Sequence, residues 1–108
     1  MCRATRRRMS DYRLTKRAEA DLFDIAVHGY RQFGARQAEA YAAGLEHAFE
    51  LLADNPGMGR RADVIRPGVR RHEHASHVIL YESVGTGVLI LALVHRRSVR
   101  RLTLREDG

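Results

Sequence analysis

At 108 residues, with a net charge of +6, 44% hydrophobic and 30% charged residues, the chain has the size of one domain and buries roughly two-thirds of the surface its unfolded form exposes. The longest apolar run, Val88 to Val94, falls far short of the ~20 residues a membrane helix requires, and a single cysteine, Cys2, excludes an internal disulfide and fits a reducing compartment, the cytoplasm. All but one of the 19 Lys and Arg residues are arginine, Lys16 being the exception, so the excess charge suits planar, bidentate contacts with phosphate or carboxylate.

Met1 to Ser10 carries Arg3, Arg6, Arg7 and Arg8 without an apolar centre. It is not a secretory signal and reads as a disordered basic arm, with Met9 as an alternative start. One domain is expected over residues 11–104. Tyr12 and Leu14 alternate with Asp11 and Arg13, a short strand pattern, and Thr15 is placed to cap a helix. From Lys16 to Phe33 the positions Ala18, Leu22, Ile25, Ala26, Gly29 and Phe33 recur at three and four, which predicts one helical stripe closed by Gly34. A second stripe follows without a linker through Ala38, Tyr41, Ala42, Leu45, Phe49 and Leu52, and Asn55-Pro56-Gly57 stops it, so the two helices form an antiparallel hairpin.

Met58 to Gly68 reads as a loop broken by Gly59, Pro67 and Gly68, with Val64 and Ile65 expected to tuck it down. Strand signals recur at Val69 to His74, His77 to Ser83 and Val88 to Val94. The last is the most apolar and predicts a strand buried on both faces, delivering His95, Arg96 and Arg97 together at one sheet edge. The order strand, helix, helix, then three strands predicts an α+β domain: an N-terminal strand and a helical hairpin packed on a small, largely antiparallel sheet.

Several stretches in fixed order carry a family resemblance. They are Tyr12-Arg13-Leu14-Thr15 leading into Ala18-Glu19-Ala20-Asp21-Leu22; Phe33-Gly34 with Gln37-Ala38 and Tyr41; and Leu51 to Gly59, Leu-Leu-Ala-Asp-Asn-Pro-Gly-Met-Gly. Ile65-Arg66-Pro67-Gly68 with Arg70, His77-Val78-Ile79 with Tyr81, and Val94-His95-Arg96 complete the set. The chain resembles the ParE branch of the RelE/ParE toxins. It departs from the pattern at Phe33, where the family often has Trp, and at His72 and His74, on a strand more apolar in relatives. The resemblance implies a toxin neutralised by a cognate ParD-like antitoxin, the pair forming a hetero-oligomer that serves plasmid or chromosomal stabilisation. ParE-like members poison DNA gyrase on cleaved DNA without enzymatic activity; RelE-like members cut messenger RNA on the ribosome.

RNA cleavage needs a base, a phosphate clamp and an acid together. Glu73 or His95 could serve as base and Arg70, Arg71, Arg96 or Arg97 as clamp, with Tyr81 a poor candidate acid. The tail Ser98-Val99-Arg100-Arg101-Leu102 lacks the tyrosine common in RelE-like nucleases, so no catalytic residue is assigned. His72 and His74 share a strand face with Glu73 on the other, a poor zinc set, and no metal or other cofactor is expected. Phe23, Val27 and Tyr30 flank the main stripe of the first helix. They either widen the core or form a groove for an amphipathic, acidic antitoxin segment, with Arg31, Arg36, Arg70 and Arg71 pairing with its carboxylates. The basic end, His95, Arg96, Arg97 and Arg100, is the expected gyrase contact, with an indirect approach to gyrase-bound DNA. A ribosome-dependent ribonuclease using Arg70, Glu73 and His95 is the alternative, and a degenerate toxin that binds only antitoxin is the third reading.

Overall fold

The computed structural model describes residues 11–101; the expected basic arm lies outside them, as do residues 102–104 of the expected domain. Strand β1 (Tyr12–Leu14) leads into helices α1 (Lys16–Phe33) and α2 (Ala35–Asp54), followed by β2 (Arg60–Arg61), β3 (Arg70–His74), β4 (His77–Val84), β5 (Gly87–His95) and a 3-10 turn at Arg96–Arg101. The sheet order is β1-β5-β4-β3-β2. Only β1 runs parallel to its neighbour, β5; the other three pairings are antiparallel.

The most apolar strand is therefore a central one. β1 covers β5 only from Val88 to Ile90, and the start of α1 takes over the exposed edge beyond. Thr15 caps α1 by accepting from the Ala18 amide at 3.0 Å and donates its hydroxyl to the Leu91 carbonyl at 2.9 Å. One turn later the Asp21 carboxylate accepts from the Leu93 amide at 3.0 Å. Side chains thus satisfy edge groups that would otherwise invite another strand. Gly87 is required at the start of β5, because a Cβ there would run into the Asp11 backbone. Gly34, at φ 93°, closes α1 by donating to the Tyr30 carbonyl and opens α2 by accepting from the Ala38 amide, so one residue in a conformation open to glycine makes the hairpin turn.

Leu45, Ala48, Phe49, Leu52 and Ala53 of α2 pack with Ala18 of α1 onto Ile79, Tyr81, Val88, Ile90 and Leu93. On the opposite face Val78, Leu80, Leu91, Ala92 and Val94 are buried with Ala62 and Val69 of the β2–β3 connection. Both faces of β5 are thus buried, as its unbroken apolar run requires. A bulge shifts the β4–β5 register between Leu80 and Tyr81, whose partners are Ala92 and Ile90. The extra residue, Leu91, moves odd-numbered residues to the helix-covered face after it, and so brings His95 beneath the hairpin.

Three expectations need correction. Phe33 is 65% exposed and does not extend the buried stripe, because α1 ends there. The expected loop at Met58–Gly68 contains β2, whose Arg60 and Arg61 pair with β3; two arginines carry no alternation to reveal a strand. Val64 is 87% exposed, and only Ile65 packs against the cluster below.

Candidate functional site

The second apolar strip of α1 is surface. Phe23 is 67% and Tyr30 60% exposed, with Val27 half-buried between them, so the strip does not widen the core. Beside it a shallow groove of about 310 Å³ is lined by Ala26, Val27, Tyr30, Ala35, Ala38, Glu39 and Ala42. Small residues on both helices let a partner approach the backbone closely there. Arg31 and Arg36 stand exposed on either side of the hairpin turn, at the end of this strip.

Around the end of α1 lies a larger concavity of about 460 Å³, with Ile25, Gly29, Phe33 and Ala38 as apolar wall and Tyr41, His28, His77 and His95 as polar floor and rim. The Tyr41 hydroxyl lies 3.1 Å from the His74 carbonyl, to which it donates, and 2.8 Å from His77 Nδ1. His95, directly opposite His77 in register, has its ring centroid 5.5 Å away and accepts the Arg97 amide at Nδ1, 3.2 Å, which places its proton on Nε2. Burial, followed by His95, His74 and His28 nearby, holds His77 below the ordinary histidine range; burial lowers His74 and raises Tyr41.

The third region is the basic end of the sheet. Arg96 donates its backbone amide to the Ser76 carbonyl at 2.9 Å and brings its guanidinium within 4.0 Å of Glu73. Arg71 holds the other oxygen of Glu73 at 2.9 Å, while its Nε is buried without a partner. Arg97 is exposed, and Arg100 sits in the 3-10 turn. His95, Arg96 and Arg97 thus lie together, but at the end of a central strand and not along a sheet edge.

Not every residue expected to cooperate is brought together. Arg70 and Arg71 point to opposite faces of β3, so they cannot both face one partner segment. Arg70 is pinned to the Gly59 carbonyl at 2.7 Å. Tyr81 is fully buried, donates to the Pro56 carbonyl and accepts the Gly59 amide, a structural tie and not an acid facing substrate. Among the described residues no three His, Cys, Asp or Glu side chains are placed to hold a metal ion, and no helix is long and apolar enough to cross a membrane. The Tyr41–His77 pair escapes sequence reasoning: four separate elements bring the pocket together, and Tyr41 looks like an ordinary member of the core stripe.

A basic α+β protein with a helical hairpin over one face of a five-stranded sheet, exposing apolar and arginine-rich surface, has the form of a small binding protein. Comparison gives the class a family. Residues 12–100 match the model for the ParE toxin of the type II toxin-antitoxin system parDE. Toxin ParE1 of Caulobacter vibrioides is 41% identical over 82% of this chain and 91% of its own; Toxin ParE1 of Mycobacterium tuberculosis is 38% identical over the same shares. A solved chromosomal ParDE TA system from P. aeruginosa aligns with TM-score 0.68 and 26% identity over 81% of this chain and 96% of that one. The chain belongs to the ParE toxin family of type II toxin-antitoxin systems.

Proposed function

We propose that this toxin acts in the cytoplasm as a non-enzymatic poison of DNA gyrase and is neutralised by a ParD-like antitoxin docked on the helical hairpin. The observation that carries the antitoxin part is the exposed strip Phe23, Val27 and Tyr30 beside a groove of small residues, flanked by Arg31 and Arg36. An amphipathic helix with apolar anchors and acidic flanks fits it. The solved ParDE neighbour supports a partner of this kind.

The gyrase reading rests on the family and on the basic end of the sheet. A poison needs no bond-making group; it needs higher affinity for the cleaved-DNA state than for the resting enzyme. His95, Arg96 and Arg97 supply an exposed surface for that purpose, which the sequence extends to Arg100, and Arg96→Glu is expected to weaken toxicity in a folded protein. The ribonuclease alternative has less support, since Glu73 is tied to two arginines and Tyr81 is buried in structural hydrogen bonds.

A purified-component assay tests the proposal by following supercoiling and trapped DNA cleavage as toxin is added. Gyrase-dependent broken DNA, suppressed by antitoxin, is the expected result. A folded toxin that arrests growth but leaves gyrase untouched would send the search to the ribosome.

A further inference from the structure

We infer that the sheet face opposite the helices carries a binding site for the phosphodiester backbone of nucleic acid, built by Arg60, Arg71 and Arg96 around Glu73. The inference does not rest on the gyrase reading, because it concerns DNA bound by the toxin alone.

It begins with the register of the edge strand. Arg60 faces Arg71 and Arg61 faces Arg70, so both positions of the two-residue strand oppose like charges, which is unfavourable. One pair is relieved locally: Arg61 bonds Asp63 at 2.8 Å and Arg70 bonds the Gly59 carbonyl. The other is not. Arg71 shares the single carboxylate of Glu73 with Arg96 and leaves its own Nε without a partner. Arg60 is exposed and has no ion-pair partner among the described residues. Three guanidiniums and one carboxylate leave two positive charges on this face: Arg60, Arg71 and Glu73 line an open concavity of about 220 Å³ with Met58, Gly59 and His72, and Arg96 reaches Glu73 from beside it.

Charged edge residues commonly serve only to discourage strand pairing. That role does not call for Arg96, which comes from beyond β5 to join a carboxylate that Arg71 already holds. The arrangement instead resembles an anion site with a resident stand-in: the Glu73 carboxylate occupies the place of one acceptor, and an arriving group neutralises the remainder. Guanidiniums favour planar, bidentate acceptors. An acidic protein segment would seek apolar anchors as well, and those lie across the molecule at Phe23 and Tyr30. A patch whose concavity offers one exposed apolar side chain, Met58, among its charges suits recognition of a phosphate backbone, where affinity comes from counterion release.

The test is fluorescence anisotropy of a short labelled duplex titrated with the full chain, without gyrase. With about two phosphates neutralised, affinity is expected to fall roughly 12-fold between about 50 and 200 mM salt. Arg60→Gln and Arg96→Gln should each lower the salt slope by about one, whereas Arg13→Gln, an equal loss of charge on exposed β1, should leave affinity nearly unchanged. Glu73→Gln should tighten binding by removing the resident carboxylate, the opposite sign to loss of a structural or catalytic glutamate. Absence of duplex binding at low salt by a folded chain overturns the inference, as does an Arg13→Gln effect equal to that of Arg60→Gln, which would indicate bulk charge. Equal competition by poly-glutamate would assign the patch to a carboxylate partner and overturn it too.

Discussion

The two faces of the sheet arise from one alternation yet are finished differently. Under the helices, Leu45, Phe49 and Leu52 close over Ile79, Tyr81 and Ile90, and Tyr41, His77 and His95 meet in the pocket at the end of α1. On the other face a short connection through Ala62, Ile65 and Val69 covers the apolar centre, while the rim carries Arg60, Arg71 and Arg96 in charged form. One face is thus closed mainly by apolar packing, and the other gathers positive charge at its rim. Stability should respond to the first, and partners that bring negative charge to the second.

Phe49→Ala probes this separation most severely. The ring is fully buried and packs at 5.4 Å from Tyr12, joining α2 to the parallel β1–β5 pair. A loss of about 3–5 kcal/mol in denaturant unfolding is expected. Tyr81→Phe comes next: it removes one hydroxyl, but leaves the Gly59 amide and Pro56 carbonyl without their partner, at a cost of about 1–3 kcal/mol. Since that hydroxyl anchors the segment leading into β2, the same variant should also loosen Arg60, with faster amide exchange at Arg60 and Arg61 as the readout. Unchanged exchange there would show that the edge strand is held independently.

The fold was legible because its signals are local and strong. Thr15 caps α1 with its hydroxyl and Gly34, free of a Cβ, turns the hairpin at positive φ, and the Val88 run predicts a strand buried on both faces. The errors have equally definite causes. Phe33 keeps the helical period but lies at the open rim of the histidine pocket, and Arg60-Arg61 forms a strand only because β3 is beside it. The candidate sites were legible by patch and not by partner. Phe23, Val27 and Tyr30 could be seen flanking the stripe, but whether they were core or surface depended on where the second helix sat. The histidine pocket depends on the Leu91 bulge, which shifts parity by one residue within an unpunctuated apolar run.

That pocket predicts a pH response of the helix-covered face. His77 is faced by Tyr41 of α2, His74 of β3, His95 of β5 and His28 of α1, with Asp21 contributing weakly in the opposite sense. Its pKa is lowered on folding, so below the ordinary value near 6.5 the unfolded chain takes up a proton that the folded one resists. This source of stability is fully present above that value and declines as pH falls, until the folded ring itself protonates. Thermal unfolding should therefore show a lower Tm at pH 5.5 than at pH 7.5, and His77→Gln should flatten the difference. A slope that persists in the variant would move the effect to His74, lowered in the same direction.

The smallest expected change in stability carries the sharpest functional contrast. Phe23→Ser combined with Tyr30→Ser removes two exposed side chains that support no core contact, so unfolding should shift by no more than about 0.5 kcal/mol per site. Binding of the antitoxin should nevertheless weaken by at least about 100-fold, since large aromatic side chains on an open surface are the usual anchors of a docked helix. Isothermal titration with the antitoxin reads the affinity and circular dichroism the fold. If the double variant binds as tightly as the parent, the antitoxin is held elsewhere. The arginine-rich face would then have to be considered as its seat, and the separation between a partner-binding helical face and an anion-binding sheet face would collapse into one surface.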